Sequence, residues 1–502
     1  MAALLEKSGA DGVPFRARPG HTHHTWAGTF HSRPELYIQP ESLEEVEKAV
    51  NLARQHRRRL VTVGCGHSPS HITCTSSWQL NLDRYNRLLS VDPASGLAVM
   101  QSGIRLYDLC DALDRRGLAM PNLGSINQQS IAGAISTGTH GSSLRHGLMS
   151  EDVVALKITL ASGRTESCSR DENLPLFRAA LLSLGALGVI TEVTFRAVPA
   201  FALRWTQTID ADRRMLDAWA GDLWTQSEFV RVWWFPYTRR AVVWKADKTD
   251  EPHAAPPRRN YDGPLGYYLY HNLLYLAQHV PRVLPWVEWL VFGMQYGFRD
   301  GSAVSAVQPS REALLMNCLY SQYVNEWAIP LHRGPEAIAR LSSWLNRLAP
   351  GDAGYAPHGI PFSADGLNPR AGRGARERHV AGVVALGRRR AAVPRPDAAR
   401  RPDAVPQRDA WLMRDLGGRP HWAKNFGSGA EEVAASYDGA DVRAWRAVRD
   451  GADPEGMFVG PWHREKVLGA GPRLALEEVE VARVPERFRG GLRVDGAVGE
   501  AR

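Results

Sequence analysis

The stretch Val61-Thr62-Val63-Gly64-Cys65-Gly66-His67-Ser68-Pro69-Ser70 joins an apolar run of β type to a turn that contains two glycines. Because glycine has no Cβ, the backbone N–H groups of such a turn can approach an anion closely. The histidine that ends the turn then lies at the rim of the bound group. Ten residues of this kind also fit an ordinary strand and turn with a surface histidine, so the rest of the chain has to distinguish the two interpretations.

A second stretch of small residues runs from Asn122 to Ser143 and reads N-L-G-S-I-N-Q-Q-S-I-A-G-A-I-S-T-G-T-H-G-S-S. Its glycines let a backbone and a flat ligand come close, and its hydroxyl and N–H groups supply neutral donors for a pyrophosphate and a polar ring system. The interleaved isoleucines and alanines argue against a solvated linker, which would be polar. His140, taken alone, fits a packed core histidine better than a ligand-binding one.

Short strands and helices alternate around these two stretches. Ser42 and Glu45 predict a helix that opens with a capping box. Its apolar stripe consists of Val46, Ala49, Val50 and Ala53. The glycine turn that begins Gly185 to Phe195 leads into a strand, and the alternation as a whole indicates an α+β domain that Pro199 closes. Apolar and polar residues then alternate from Trp205 to Ala246, which predicts the sheet of a second domain.

Size and composition bound the class of protein. A chain of 502 residues is long for one core, so two domains are expected, and contents of 44% hydrophobic and 23% charged residues are typical of a soluble globular protein. The cysteines are scattered and lack C-x-x-C pairing, which argues against a disulfide framework or a structural zinc site and favours a reducing compartment. No metal site is expected. The five cysteines are Cys65, Cys74, Cys110, Cys168 and Cys318.

The net charge of +8 comes from one segment. Residues Arg370 to Arg408 contain eleven arginines and three acidic residues, which is 11 − 3 = +8, so the remaining chain is formally neutral. This segment has no aromatic residue that could stack on a base. A nucleic-acid-binding function is therefore not expected.

The sequence predicts no transit peptide and no transmembrane helix. The N-terminus, M-A-A-L-L-E-K-S-G-A-D-G, contains acidic residues and lacks a sustained apolar core. Residues Tyr267 to Phe298 are aromatic and aliphatic, but histidines, prolines, Arg282 and Glu288 interrupt them. They predict buried helices or an interfacial surface, so peripheral membrane contact is one hypothesis for the chain.

Taken together, V-G-C-G-H-S-P-S, the Gly/Ser stretch and S-L-G-A-L-G-V-I-T resemble the FAD-binding domain of the vanillyl-alcohol-oxidase (PCMH) type of flavoproteins. The motifs E-W-A-I-P (326–330), G-R-P-H-W-A-K (418–424) and D-P-E-G-M-F (453–458) are similar to those of the aldonolactone oxidases, above all the fungal D-arabinono-1,4-lactone oxidase group. The resemblance covers roughly residues 20–365 and 409–470. It implies an α+β fold with a PCMH-type FAD-binding domain of two α/β subdomains at 30–199. A substrate (cap) domain with an antiparallel sheet flanked by helices would follow at 200–470, and a C-terminal tail at 471–502.

The resemblance also implies roles for individual residues. His67 matches the histidine that many members bond covalently to the flavin 8α-methyl group. His421 and Lys424 match a catalytic pair near flavin N1 and the substrate, where a cation stabilises reduced flavin and a basic group takes the hydroxyl proton. The residues expected to bind FAD are Gly64, Cys65, Gly66, His67, Ser68, Gly124, Ser125, Gly133, Thr137, Gly138, Thr139, His140, Gly141 and Ile190.

The implied activity is oxidation of a sugar 1,4-lactone, with hydride transfer to flavin N5 and reoxidation by O2 to give H2O2, in ascorbate-type (erythroascorbate) biosynthesis. A related gulonolactone or alditol oxidase, a dehydrogenase that avoids oxygen, and a flavin-bound but catalytically impaired variant remain alternatives. The resemblance implies an intracellular protein associated with the mitochondrial outer membrane. The oligomeric state is open.

The segment Arg370 to Arg408 departs from the family pattern. Members of the family carry a V-E-V-R strand there whose glutamate and arginine bind the substrate, whereas this segment is rich in Arg, Ala, Pro and Gly and predicts an irregular or disordered loop. One GC-rich choice of codons for Arg370 to Val380, read one base later, encodes V-P-V-E-V-R-V-S-D-T. We therefore hypothesise that the segment is translated out of frame between two compensating shifts.

Overall fold

The computed structural model describes residues 12–257, 263–316, 324–357 and 408–469. Three features of the sequence analysis lie outside these residues: positions 370–407 of the segment predicted to be irregular, the tail 471–502, and Cys318. The strands before residue 200 are β1 Ala17–Arg18, β2 His23–His24, β3 His31–Ser32, β4 Leu36–Ile38, β5 Leu60–Val63, β6 Trp78–Asn81, β7 Leu88–Asp92, β8 Leu97–Gln101, β9 Leu118–Ala119, β10 Val153–Thr159, β11 Thr165–Ser169, β12 Val189–Arg196 and β13 Val198–Pro199. The helices in this part are α1 Leu43–Gln55, α2 Leu106–Asp114, α3 Ile131–Ser136 and α4 Leu174–Ala180.

After residue 200 the strands are β14 Ala202–Ala211, β15 Phe229–Phe235, β16 Arg240–Thr249, β17 Ala303–Pro309, β18 Trp327–Ala328 and β19 Arg419–Pro420. The helices are α5 Asp212–Trp219, α6 Pro264–His279, α7 Leu284–Gln295, α8 Ser310–Ala313, α9 Gly334–Asn346, α10 Arg408–Asp415, α11 Ala430–Ala434, α12 Gly439–Ala452 and α13 Pro461–His463. Among the described residues, no helix combines the length and the apolar character that crossing a bilayer requires.

The predicted helix α1 is confirmed, with half of its capping box. Ser42 Oγ accepts a hydrogen bond from Glu45 N–H at 3.3 Å, and the predicted apolar stripe is fully buried. The Glu45 carboxylate accepts from Glu41 N–H at 3.0 Å and pairs with Arg16, so it does not close the box onto Ser42. The Glu45 carboxylate thus pairs with an arginine 29 residues earlier in the chain instead of the backbone N–H of Ser42.

Among the described residues, three sheets have four or five strands, and three further sheets are two-stranded pairs: β2-β3, β9-β13 and β18-β19. The first has the order β1-β4-β6-β5, in which β4, β6 and β5 are parallel. The second, β11-β10-β12-β8-β7, is antiparallel throughout. The third, β15-β16-β14-β17, is the antiparallel sheet predicted after residue 200, with α5 packed beside it. The α+β prediction is confirmed.

The C-terminal part of the chain returns to the first sheet. The Leu60 N–H at the start of β5 donates to the Met457 carbonyl at 2.9 Å. Ala452, Met457 and Phe458 belong to the same buried core as β5 and β6. Residues late in the chain therefore support the strand that carries the glycine turn.

Candidate active site

A cleft opens at the carboxyl end of β5, where the glycine turn begins. It encloses about 840 Å³, part of which is open to solvent. The turn forms one wall, α3 lies opposite, and the segment that leads into β12 contributes a third side. Eight of the residues predicted to bind the cofactor line this cleft: Gly64, Cys65, Gly66, His67, Ser68, Gly133, Thr137 and Ile190.

The glycine turn is packed so tightly that larger side chains have no room. A Cβ at Gly64 would overlap Ser130 Oγ and lie 2.9 Å from Ser130 Cβ. Gly66 has a φ of +66°, in the left-handed region that favours glycine. The Gly64 carbonyl accepts a hydrogen bond from Asn81 Nδ2 at 3.0 Å. Because Ser130 is the N-cap of α3, the missing Cβ of Gly64 allows the turn to lie this close to the facing helix.

Polar atoms that lack a partner line the cleft. Unpaired buried polar atoms each cost about 1–3 kcal/mol and are rare in native proteins. In the described part of the chain, four such atoms belong to cleft-lining residues: Thr62 Oγ1, His67 Nε2, Gln129 Oε1 and Ser130 Oγ. A ligand with both donors and acceptors would pair with them. The cleft therefore fits a polar ring system with a pyrophosphate, the kind of group that the sequence resemblance implies.

His67 carries an uncharged imidazole. Burial lowers the pKa of His67 to about 4, and hydrogen bonds to its own backbone and to the Gln128 side chain oppose this only in part. Nε2 is buried and has no hydrogen-bond partner among the described residues.

A second polar cluster lies next to the cleft and consists of His140, Glu326, His421 and Lys424. Glu326 Oε1 lies 2.9 Å from His140 Nε2, and Glu326 Oε2 lies 3.4 Å from Lys424 Nζ. The ring centroids of His140 and His421 are 5.6 Å apart. The pairing of β18 with β19 places Glu326 beside His421, whose N–H donates to the Glu326 carbonyl at 2.9 Å.

His140 favours its charged form. Its Nδ1 lies 3.0 Å from the Gly141 carbonyl and its Nε2 lies 2.9 Å from the Glu326 carboxylate. Both partners only accept hydrogen bonds, so both ring nitrogens carry a proton. Burial lowers the pKa of His140, but the hydrogen bond to Glu326 and the charge of that carboxylate outweigh it and raise the pKa above 6.5. The interpretation of His140 as a packed core histidine is wrong: its side chain is 41% exposed and ion-paired.

Glu326 and His421 hold opposite protonation states. Burial would raise the pKa of Glu326, but its neighbours His421, Lys424 and His140 hold that pKa well below 4.5, so Glu326 is a carboxylate. Burial lowers the pKa of His421 to about 4, and its Nδ1 accepts a hydrogen bond from Ala423 N–H at 3.1 Å. The cluster thus holds two cations, one anion and a neutral imidazole, and its net charge is positive.

The cluster and the cleft share a wall. Asn425 Nδ2 donates to the Pro69 carbonyl at 3.1 Å, and Ser70 Oγ donates to the Ala423 carbonyl at 3.2 Å. Lys424 is close enough to His67 for its charge to contribute to the lowered pKa of that histidine. The segment that carries His421 and Lys424 therefore lies against the end of the glycine turn.

Six predicted cofactor-binding residues lie outside the lining of the described cleft: Gly124, Ser125, Gly138, Thr139, His140 and Gly141. The Gly138 backbone lies near enough to His421 to oppose slightly the lowering of the pKa of that histidine, so this stretch reaches the second cluster. A Cβ at Gly124 would lie 2.8 Å from Thr139 Cγ2, and one at Gly141 would overlap the Asn122 amide. These glycines allow the close packing that places His140 beside Glu326.

Sequence reasoning missed several residues of the site. Glu326 stands inside the E-W-A-I-P motif but was not predicted as a site residue, because its partner His140 lies 186 residues earlier in the chain. His463 had no local signal; it hydrogen-bonds to the Leu184 carbonyl at 2.8 Å and so braces the third wall. Other missed lining residues stand within motifs that were recognised: Gln129, Ser130, Ser136, Ser183, Gly185, Gly188 and Phe458.

The ligand atoms of His140, Glu326 and His421 lie within 4.8 Å of one another, which is close enough for a metal ion to bridge them. The Glu326 carboxylate already faces the ammonium of Lys424 and the imidazolium of His140. A divalent cation would add to this positive charge, and the resulting repulsion disfavours a metal ion at this cluster.

Comparison with known proteins agrees with the geometry. The sequence profile for D-arabinono-1,4-lactone oxidase matches residues 193–362 and 407–466, and the profile for the FAD binding domain matches residues 34–169. A Neurospora crassa protein assigned as a D-arabinono-1,4-lactone oxidase is 55% identical over 97% of this chain and 94% of its own length. The D-arabinono-1,4-lactone oxidase of Yarrowia lipolytica is 39% identical over 88% of this chain and 96% of its own length.

Solved structures show the same fold at low sequence identity. Cholesterol oxidase from B. sterolicum superposes with a TM-score of 0.65 at 14% identity, covering 89% of this chain and 97% of that chain. Chitooligosaccharide oxidase gives 0.61 at 15% identity, covering 93% and 99%. The fold is thus that of the PCMH-type FAD oxidases. With relatives of this identity and coverage, the chain belongs to the D-arabinono-1,4-lactone oxidase family and is an FAD-dependent oxidoreductase that acts on a sugar lactone.

Proposed function

We propose that the cleft between the glycine turn and α3 binds FAD and that the His140–Glu326–His421–Lys424 cluster acts on D-arabinono-1,4-lactone. When bound, FAD supplies the hydride acceptor, at N5, and returns the electrons to O2 as H2O2. The observation that supports the site assignment is the net positive charge of a cluster that shares a wall with the cleft. Preorganised positive charge stabilises negative charge that develops during the reaction.

Each residue of the cluster has a proposed role. Lys424 supplies the cation, and Glu326 and His140 fix where that cation lies. His421 is neutral, so it can accept the hydroxyl proton at Nδ1 in exchange for its hydrogen bond from Ala423 N–H. The nearby Glu326 carboxylate would then stabilise the imidazolium.

A substrate panel with peroxide detection tests the activity. We expect D-arabinono-1,4-lactone to reduce the bound flavin and to yield one H2O2 per turnover in air, and L-gulonolactone and alditols to react more slowly. Reduction by lactone without peroxide would indicate a dehydrogenase. A colourless protein whose spectrum does not change when FAD is added would contradict the proposed site.

His67 is the proposed point of covalent attachment. A bond between an imidazole nitrogen and the 8α-methyl carbon would remove one hydrogen from the methyl group and the N–H proton from the imidazole ring, and O2 would take up both with two electrons as H2O2, so atoms and electrons balance. We expect flavin to stay with the acid-precipitated parent protein and to be released from His67→Ala. His71→Ala is the matched control, because His71 follows four residues later and does not line the described cleft. Flavin released from the parent protein itself would refute covalent attachment.

The out-of-frame origin of Arg370 to Arg408 stays a proposal. The match to the D-arabinono-1,4-lactone oxidase profile stops at residue 362 and resumes at 407, so residues 363–406, which include all but the last two residues of this segment, are unmatched. If the printed chain is the one that is made, we expect it to bind flavin but to oxidise the lactone poorly, since the V-E-V-R strand is missing. Sequencing the transcript decides the matter: an in-frame message for the printed segment would exclude a sequencing error.

Peripheral membrane contact is proposed for the hairpin of α6 and α7, a location that would fit the mitochondrial association implied by the resemblance. Arg282 and Glu288 are the only Lys, Arg, Asp or Glu residues from 264 to 295, and Glu288 is buried against the N–H groups of Tyr237 and Thr238. The outward side chains are mainly aromatic and aliphatic, with Trp286 73% and Leu265 79% exposed. Exposed tryptophan on a surface with so little charge is typical of helices that lie in a lipid interface.

Vesicle flotation tests the membrane proposal. We expect the parent protein to float with neutral phosphatidylcholine vesicles and the double variant Trp286→Ser/Trp289→Ser to lose about tenfold in partitioning, because two large apolar side chains leave the lipid. Leu144→Ser is the control, since Leu144 is 60% exposed but lies away from the hairpin sequence. Equal partitioning of all three proteins, or self-association of the parent without vesicle binding, would contradict the proposal.

A further inference from the structure

A short N-terminal hairpin clasps the glycine turn. We call residues 23–32, which include β2 and β3, the N-terminal clip. They precede residue 34, where the match to the FAD-binding profile begins. The clip turns tightly between Thr25 and Phe30, whose backbones hydrogen-bond at 3.1 Å, and Gly28 in this turn has a φ of +62°.

Four hydrogen bonds fasten the clip to the glycine turn and the segment after it. Trp26 N–H donates to the Gly66 carbonyl at 2.9 Å, and Thr29 Oγ1 donates to the Pro69 carbonyl at 2.6 Å. His23 Nε2 lies 2.9 Å from Thr73 Oγ1, and Ser32 Oγ accepts from Thr75 N–H at 3.2 Å. The N-terminal clip therefore lies along the glycine turn and the segment after it, and these hydrogen bonds hold the two in place.

Trp26, at the tip of the clip, contacts His67 directly. The two rings are stacked, with centroids 4.5 Å apart and planes 19° from parallel. Trp26 does not line the described part of the cleft, whereas His67 does. A stacked indole restricts rotation of the imidazole by covering its face, and the indole itself does not occupy the edge of the ring, where both nitrogens lie.

The hydrogen bonds of His67 complete this restraint. The Gln128 side chain hydrogen-bonds to the imidazole, and Nε2 is left without a partner in the described part of the chain. The ring is thus held on its face by Trp26 and at one nitrogen by Gln128. Among the described residues, Nε2 is thus the buried ring nitrogen that has no hydrogen-bond partner.

We propose that Trp26 is a positioning residue that holds the His67 ring so that Nε2 is presented to the flavin for bond formation. The proposal rests on the proposed covalent attachment through His67. It assigns the N-terminal clip a role in cofactor maturation and none in lactone oxidation itself. Reactions of this kind depend strongly on orientation, since small misplacements of reacting atoms slow them by large factors.

The experiment measures covalent and total flavin separately. Apoprotein is mixed with FAD, total bound FAD is read from its absorbance, and the covalent part is read as flavin that stays with acid-precipitated protein over time. For Trp26→Ala we expect unchanged total binding and covalent bond formation slowed about tenfold or more. Trp26→Phe keeps a stacking ring and is expected to restore most of the rate.

Phe30→Ala is the matched control. Phe30 belongs to the same clip but contacts the ring of His71, at 4.9 Å between centroids, and not that of His67. It reports any general loosening of the clip, and we expect it to keep the parent rate. A parent protein that forms no covalent flavin would refute the attachment itself. A parent rate in Trp26→Ala, an equal slowing in Phe30→Ala, or a parallel loss of total FAD binding would overturn the role of Trp26.

Discussion

Glu326→Gln is expected to slow reduction of the flavin by the lactone about a hundredfold, the scale on which loss of one preorganised polar group at an active site acts. The amide keeps the shape of the carboxylate but removes the charge that His140 and Lys424 share. His140 then loses the reason for its raised pKa, and Lys424 loses the partner that fixes its ammonium. Anaerobic stopped-flow absorbance gives the rate relative to the parent chain, and total bound FAD should not change.

A second carboxylate offers a close control for this substitution. Glu228 lies 2.8 Å from His146 Nε2 and 3.0 Å from Lys248 Nζ, and its side chain is 12% exposed against 19% for Glu326. Glu228→Gln thus removes a carboxylate charge that, like that of Glu326, faces one histidine and one lysine, but it does so away from the described cleft. An equal loss of rate in both variants would mean that the effect is one of stability and would refute the proposed role of Glu326.

The ion pair between Glu326 and His140 predicts the pH range in which it stabilises the fold. The pKa of Glu326 is depressed, so its contribution is present above the unfolded value near 4.5 and is lost as pH falls through the folded pKa. The pKa of His140 is raised, so its contribution is present below 6.5 and is lost as pH rises through the folded pKa. The stability difference between parent and Glu326→Gln, measured by urea unfolding, should therefore be largest between these two values. A difference that does not change with pH would contradict the ion pair.

Gly64→Ala is expected to destabilise the fold by about 3 kcal/mol, the upper range for overpacking, and to abolish FAD binding. The added Cβ would overlap Ser130 Oγ and meet Ser130 Cβ at 2.9 Å, so the turn and α3 must separate. Urea unfolding and FAD titration measure the two effects.

Ser130→Gly should rescue Gly64→Ala, because it removes both atoms that the new Cβ meets. Glycine at the N-cap of α3 costs only a few tenths of a kcal/mol relative to serine, so the single variant Ser130→Gly is a suitable control. The double variant is expected to recover most of the lost stability and part of the FAD affinity. If it stays as unstable as Gly64→Ala, the contact with Ser130 is not the cause.

Features set by neighbouring residues were predictable. The Gly64–Gly66 turn, the helix after Ser42 and the strand after Gly188 follow from backbone freedom, capping and periodicity, and the structure has all three. The roles of residues that act through partners far away in the chain could not be predicted from the sequence. Glu326 acquires its chemistry from β18–β19 pairing and from His140, and Trp26 acquires its contact with His67 through a hairpin that no motif marks. The half-formed capping box at Glu45 has the same cause, because Arg16 competes from far along the chain.

The return of the C-terminal segment to the glycine turn sets the order in which the protein can mature. Ser70 and Pro69 take their partners from Ala423 and Asn425, 353 and 356 residues later. At ribosomal rates of about 5–20 residues per second, these partners emerge roughly 20 to 70 s after the turn. The nascent chain therefore lacks these partners of the glycine turn until residue 425 has been made, and we expect flavin to bind tightly only after that point.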